Sequence, residues 1–161
     1  MDRITPQDLK MLREKFRITP LDLTKLWEQF NSSFTSETAE EFLQTLLNLM
    51  KIVFTVNHDY RRNIRNFEGR YQFCSKDGEV TVAALFHDNR MEVVEKKIDR
   101  PDITITFRNG RTLLNFIMSP RQDILGSMLR HDVMTEGNLN YLYKFGFMAK
   151  QLQLMMPQLP R

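Results

Sequence analysis

The sequence predicts an α+β protein, with helices gathered on one side of a mostly antiparallel five-stranded sheet and a helical extension over residues 1–36. Three observations lead there. Apolar residues recur at helical spacing up to residue 54, alternate between residues 69 and 107, and return to helical spacing afterwards. Strong turn dipeptides punctuate the alternating region. A last short stretch, VMTEG at 133–137, stands between two helical patterns and is too short to be a helix itself.

The extension carries an internal repeat, ITPQDL at 4–9 and ITPLDL at 18–23. Thr5 and Thr19 suit N-caps, Pro6 and Pro20 the first helical position, and Asp8 and Asp22 the positive end of the dipole. Helices over about 6–16 and 20–30 follow, the second with Leu23, Leu26, Trp27 and Phe30 in one stripe. After the polar loop NSSFTS, a third helix is predicted from about 37 to 54, with Phe42, Leu46, Leu47, Met50, Val53 and Phe54 opposed by Glu41, Gln44, Asn48 and Lys51. A short basic helix around 58–66 precedes the strands GRYQF, VTVAALF, MEVVEKKI and DITITF. Asp77-Gly78 and Asp88-Asn89 mark hairpin turns, so these four strands are expected to form an antiparallel meander.

Helices then return. Leu113, Leu114, Phe116 and Ile117 define a brief one, and SPRQDILGSML starts another with Ser119 as cap, Pro120 at the first position and Gln122 closing a capping box. VMTEG is the expected edge strand, and Asn138 the cap of a last helix that Pro157 ends. That helix is unusual. Asn140, Lys144 and Gln151 occupy one narrow strip, whereas Leu139, Leu142, Phe145, Phe147, Met148 and Leu152 spread over two apolar faces. Packing on a sheet covers one face; the other calls for a helix layer, a partner or a ligand.

Length and composition bound the function. The 161 residues, 42% of them hydrophobic, suffice for one well-buried domain, and no apolar run is long enough to cross a membrane. The N-terminus has no signal-peptide core, and the single cysteine, Cys74, agrees with a reducing cytoplasm and reads as a structural thiol. The formal charge is only +3, concentrated at Arg61, Arg62, Arg65 and Arg70. Ten methionines exceed ordinary usage, and methionine fills adaptable apolar surfaces.

Chemistry-bearing motifs are sparse. Each histidine precedes an aspartate (His58-Asp59, His87-Asp88, His131-Asp132), but a metal-dependent hydrolase needs such a pair on a helix with further ligands converging on the ion. Turn composition accounts for the second and third pairs. There is no Ser-His-Asp signature and no phosphate-cradling glycine loop, so no catalytic residue, no cofactor and no metal are expected. The second N-terminal helix carries Asp22 and Glu28 beside Lys25, which does not suit a DNA recognition helix. The methionine-, leucine- and phenylalanine-rich segments 113–118, 124–129 and 139–152 are consistent with a cavity over the sheet, with a dimer interface, or with an ordinary core.

PDITITF at 101–107, the helices NGRTLLNFIM and SPRQDILGSML, the strand ending in EGN at 136–138 and the helix LNYLYKFGFMAKQL follow one another in an order that resembles the sterol carrier protein type 2 family; the meander from Gly69 to Ile98 also fits. The resemblance covers about residues 37–156, and assigns 37–161 to a sterol-carrier-like domain. It implies an apolar tunnel between sheet and helices that holds fatty acids, acyl-CoA, sterols or isoprenoid-like lipids, without catalysis. On the family's pattern the tunnel is bordered by Phe107, by Leu113, Phe116 and Ile117, by Leu125, Met128 and Leu129, by Met134, and by Leu142, Phe145, Met148 and Leu152. Arg61, Arg62 and Arg65 are the expected contacts to a lipid headgroup or membrane surface, and the N-terminal helices an expected lid or homodimer arm. The chain departs from the family where LRHDVMTEGN precedes and forms the last strand, and its QLPR ending is not a peroxisomal address. The alternative expectation is an accessory scaffold that binds lipid- or isoprenoid-modifying enzymes through its apolar surfaces.

Overall fold

The computed structural model describes residues 39–118 and 123–155. The two N-terminal helices, the Ser119–Gln122 capping box and the Pro157 stop lie outside these residues.

The first described helix, α1 (Ala39–Val56), buries Phe42, Leu43, Leu46, Leu47, Leu49, Met50, Val53 and Phe54. That stripe is wider than a single sheet contact requires, and α1 indeed packs on the sheet and on three other helices. Asn57 then caps a one-turn helix, α2 (His58–Arg61), by accepting from the Tyr60 amide at 2.8 Å; a 3-10 turn, Arg62–Ile64, completes the expected basic segment. Strands β1 (Gly69–Ser75), β2 (Thr81–His87), β3 (Arg90–Val94) and β4 (Ile103–Phe107) follow. Next come α3 (Gly110–Met118), α4 (Ile124–Leu129), β5 (Val133–Gly137) and α5 (Leu139–Met155).

Both predicted hairpins form. Gly78 has φ 77° in the first, and Asp88 and Asn89 have φ 50° and 58° in the second, the pair of left-handed residues that a type I′ turn demands. The meander is nevertheless three strands, not four. The sheet order is β3-β2-β1-β4-β5, so β4 leaves its sequence neighbour β3 and pairs with β1, in parallel. The remaining pairings, β1–β2, β2–β3 and β4–β5, are antiparallel. The connection 95–102 has no two-residue turn to hold β4 beside β3, and Gln72 fastens it instead. The Gln72 amide oxygen accepts from the Ile98 N–H at 2.8 Å, and its amide nitrogen donates to the Val82 carbonyl at 3.1 Å. A buried glutamine is tolerable because these partners occupy it. The connection thus crosses the face carrying Gln72 and Ala83, and the helices take the opposite face, which carries Tyr71, Phe73, Ala84, Phe86, Ile103, Ile105 and Phe107.

α4 also starts later than the predicted capping box implies. Asp123 caps it, accepting from the Gly126 amide at 2.9 Å. Asn138 caps α5 as expected, through Asn140 at 3.0 Å. Among the described residues, no helix is long and apolar enough to cross a membrane.

Candidate functional site

Strand alternation decides which side chains look toward the helices. Phe107 does, beside Ser75 of β1 and opposite Val133 of β5, and its ring meets Phe116 of α3 edge-on at 5.8 Å between centroids. Leu113 lies one turn before Phe116 and is fully buried. From α5, Leu142, Phe145, Met148 and Leu152 descend on the same volume, the Phe145 ring 5.0 Å from that of Phe73. These seven residues belong to one apolar cluster, and Met128 packs against its margin. The side chain of Ile117 lies outside the described ones.

Three expected lining residues do not join them. Leu125 and Leu129 are 61% and 81% exposed, because the short helix α4 turns Ile124 and Ser127 inward and leaves the next positions facing out. Met134 is 43% exposed: Val133 takes the inward position of β5, and alternation sends Met134 to the other face, opposite Thr106.

The second apolar face of α5 is open. Tyr143, Phe147 and Leu154 are 44%, 61% and 53% exposed along it. The inward face is held by two tyrosines whose hydroxyls donate to helical carbonyls, Tyr60 to Met148 at 2.9 Å and Tyr71 to Tyr141 at 2.8 Å. Burial pushes both phenols far above their ordinary value; for Tyr71 the neighbouring Tyr141 and Asp102 add to it.

Where α3, α4 and the start of β5 converge there is a pocket of about 220 Å3, lined by Thr112, Asn115, Phe116, Asp123, Ser127, Arg130 and Asp132. Phe116 is therefore shared between this polar pocket and the apolar cluster. Arg130 organises the rim: its Nε donates to Asp132 at 3.1 Å, one terminal nitrogen lies 3.7 Å from Asp123, and the other lies 3.4 Å from the Ser127 hydroxyl. Arg108 closes the network, 2.7 Å from Asp132 and donating to the Arg130 carbonyl at 2.8 Å. Apart from Phe116, sequence reasoning missed this group. Its members come from three elements, and the visible signal, His131-Asp132, reads locally as a turn, which the φ of 58° at His131 shows it to be.

Arg61, Arg62 and Arg65 are not among the residues lining that pocket. Arg61 is half-buried and donates to the Thr55 carbonyl at 3.3 Å, Arg62 lies 3.8 Å from Asp59, and Arg65 is exposed. His58 and His87 sit 3.6 Å and 3.4 Å from the aspartates that follow them, and no three metal-ligating side chains converge among the described residues. Cys74 is half-buried on the outer face of β1, 3.8 Å from the Thr106 hydroxyl.

Solved structures share this fold. Sterol carrier protein 2 from Yarrowia lipolytica superposes with a TM-score of 0.55 at 12% identity, over 75% of this chain and 98% of its own. This chain has the sterol carrier protein 2 fold. A UbiJ-SCP2 ubiquinone synthesis protein superposes with a TM-score of 0.53 at 11% identity, over 68% of this chain and 96% of its own. The inverting sec-alkylsulfatase Pisa1 from a Pseudomonas species matches at TM-score 0.53 and 12% identity, over 65% of this chain; the match spans only 16% of that enzyme. No protein-family model and no curated protein matches the sequence. In this sterol-carrier-like fold, the cluster under α5 and the pocket at Phe116 lie on the helical side of the sheet.

Proposed function

We propose that this sterol-carrier-like domain binds an apolar lipid between its helical layer and the inner face of its sheet, and carries or presents it without chemical change. The supporting observation is the position of Phe116, whose ring lies on the apolar cluster at Phe107 and also lines the 220 Å3 pocket. A headgroup and a few methylenes fit there. A longer chain enters by displacing side chains of the cluster, and the methionines Met128 and Met148 yield at low cost. Each methylene taken from water then contributes about 0.8 kcal/mol.

A non-catalytic role is supported by the chemistry of the inner face. Its two buried tyrosine hydroxyls are committed to carbonyls of α5 and held protonated by burial, which leaves them no role as nucleophile or base. Fatty acid, acyl-CoA, sterol and isoprenoid-like tails all meet the demand for an apolar chain, the last suggested by the neighbour named as a ubiquinone synthesis protein. The exposed Arg62 and Arg65 supply cations for transient contact with an anionic membrane surface.

The open face of α5 favours a second reading, a scaffold on which Tyr143, Phe147 and Leu154 receive an enzyme that modifies lipids. Gentle purification, organic extraction and mass spectrometry separate the two. Lipid recovered at close to one per chain supports the carrier. A lipid-free protein that stays in a stable complex with an enzyme, and takes up no added lipid, supports the scaffold and overturns the carrier.

A further inference from the structure

The pocket beside Phe116 has a chemistry of its own. Its cation among the described lining residues, Arg130, is already engaged by Asp132 at 3.1 Å and Ser127 at 3.4 Å, with Asp123 at 3.7 Å. Asp132 is in turn paired with Arg108 at 2.7 Å. Two carboxylates and two guanidinium groups thus balance one another around the space. An entering carboxylate or phosphate meets two like charges and a cation already in use; an entering ammonium group is opposed by the like charges of Arg130 and Arg108, which already neutralise the two carboxylates. Either would have to break an existing ion pair or remain uncompensated.

A hydroxyl faces no such conflict. Asp123 uses one carboxylate oxygen on the Gly126 amide, and among the described residues its other oxygen accepts only a long contact from Arg130. Asn115 offers both an amide donor and an acceptor, and the buried Ser127 has a hydroxyl hydrogen to donate. Phe116 sets an apolar surface directly beside these groups. At about 220 Å3 the space is also smaller than the roughly 300–1,000 Å3 of sites that enclose a whole drug-sized ligand, which suits a small headgroup on a tail that lies elsewhere.

We infer that the pocket formed by Asn115, Phe116, Asp123, Ser127 and Arg130 is a headgroup subsite for an uncharged, hydroxyl-bearing chain lipid, such as a long-chain alcohol or a glycerol ester. This rests on the lipid-binding function proposed above and narrows it.

The test uses the full chain, freed of lipid, and three probes with one tail: dodecanol, dodecanoate and dodecylamine at mildly alkaline pH, each displacing a fluorescent alkyl probe. Dodecanol binds about tenfold tighter than either charged analogue. Asp123→Asn keeps an oxygen to cap α4 and removes one negative charge, so dodecanoate gains and its disadvantage closes to about threefold or less. Ser127→Ala, which changes no charge, weakens dodecanol by about tenfold and leaves dodecanoate unchanged. Equal binding of the three probes, a charged probe binding tighter than the alcohol, or a preference that neither variant moves overturns the subsite while leaving lipid binding intact. If none of the three binds, the lipid-binding function fails with it.

Discussion

Tyr60 donates its hydroxyl hydrogen to the backbone carbonyl of Met148 at 2.9 Å, joining two residues 88 positions apart in the chain. Asn63 repeats the separation, donating to the Gln151 side chain at 2.8 Å. The short basic segment after α1 is thereby fastened to α5 one turn apart. Phe54, stacked on the Tyr60 ring at 4.3 Å, carries the link into the core.

Tyr60→Phe removes the hydroxyl and keeps the ring. The helical carbonyl retains its own helix, so the loss should be about 1 kcal/mol, read as a lower denaturant midpoint with an unchanged slope. A neutral result would mean that packing alone positions α5.

The same tyrosines make stability pH-dependent in one direction. Burial raises the folded-state values of Tyr60 and Tyr71 above the ordinary phenol value of 10.0. Their contribution is therefore fully present below that ordinary value and lost progressively as pH rises above it, because only the unfolded chain can then ionise. Thermal unfolding followed together with tyrosinate absorbance should show midpoints falling above about pH 10, with part of the phenolate signal delayed until unfolding.

Gly137 ends β5 with φ 116°, and a Cβ placed there would lie 2.2 Å from the Asp102 carbonyl oxygen at the start of β4. Gly137→Ala should cost about 2 kcal/mol or more, since both the conformation and the contact are forbidden. Gly78→Ala, with φ 77° but open space around it, should cost only about 1 kcal/mol. Comparing the two denaturation midpoints separates steric contact from backbone strain.

Inner and outer faces of α5 should respond differently to truncation. Leu142→Ala empties a fully buried site and should lose about 2–5 kcal/mol. Phe147→Ser, at a position 61% exposed, should stay within about 0.5 kcal/mol. A large loss at Phe147 would show that its face is covered in the folded protein.

Much of this fold was legible because its signals are local. Asp77-Gly78 and Asp88-Asn89 specify their hairpins through residues that tolerate a left-handed backbone, and Asn138 marks the start of α5 through its own side chain. VMTEG, lying between two helices, was recognisable as the edge strand it is. The place of β4 was not, since pairing with β1 depends on Gln72 meeting Ile98 across 26 residues. The want of a tight turn in EKKIDRP was the available hint. Alternation within VMTEG was available too, yet Met134 was expected inside because the family pattern outweighed the strand period. The two apolar faces of α5 were visible on a helical wheel; which of them met the sheet was not, because a wheel contains no neighbours. The pocket at Phe116 had least to announce it, being assembled mostly from polar residues that serve a helix end or a turn.

Lipid binding on the inner face is tested most directly by photocrosslinking. Lipid-free protein is loaded with a long-chain alcohol bearing a diazirine near the end of its tail, irradiated, and mapped residue by residue by mass spectrometry. Adducts at close to one per chain on the inward residues, such as Phe107, Leu113, Leu142 and Met148, are the expected result. Adducts confined to Tyr143, Phe147 and Leu154, or none above background, would contradict it.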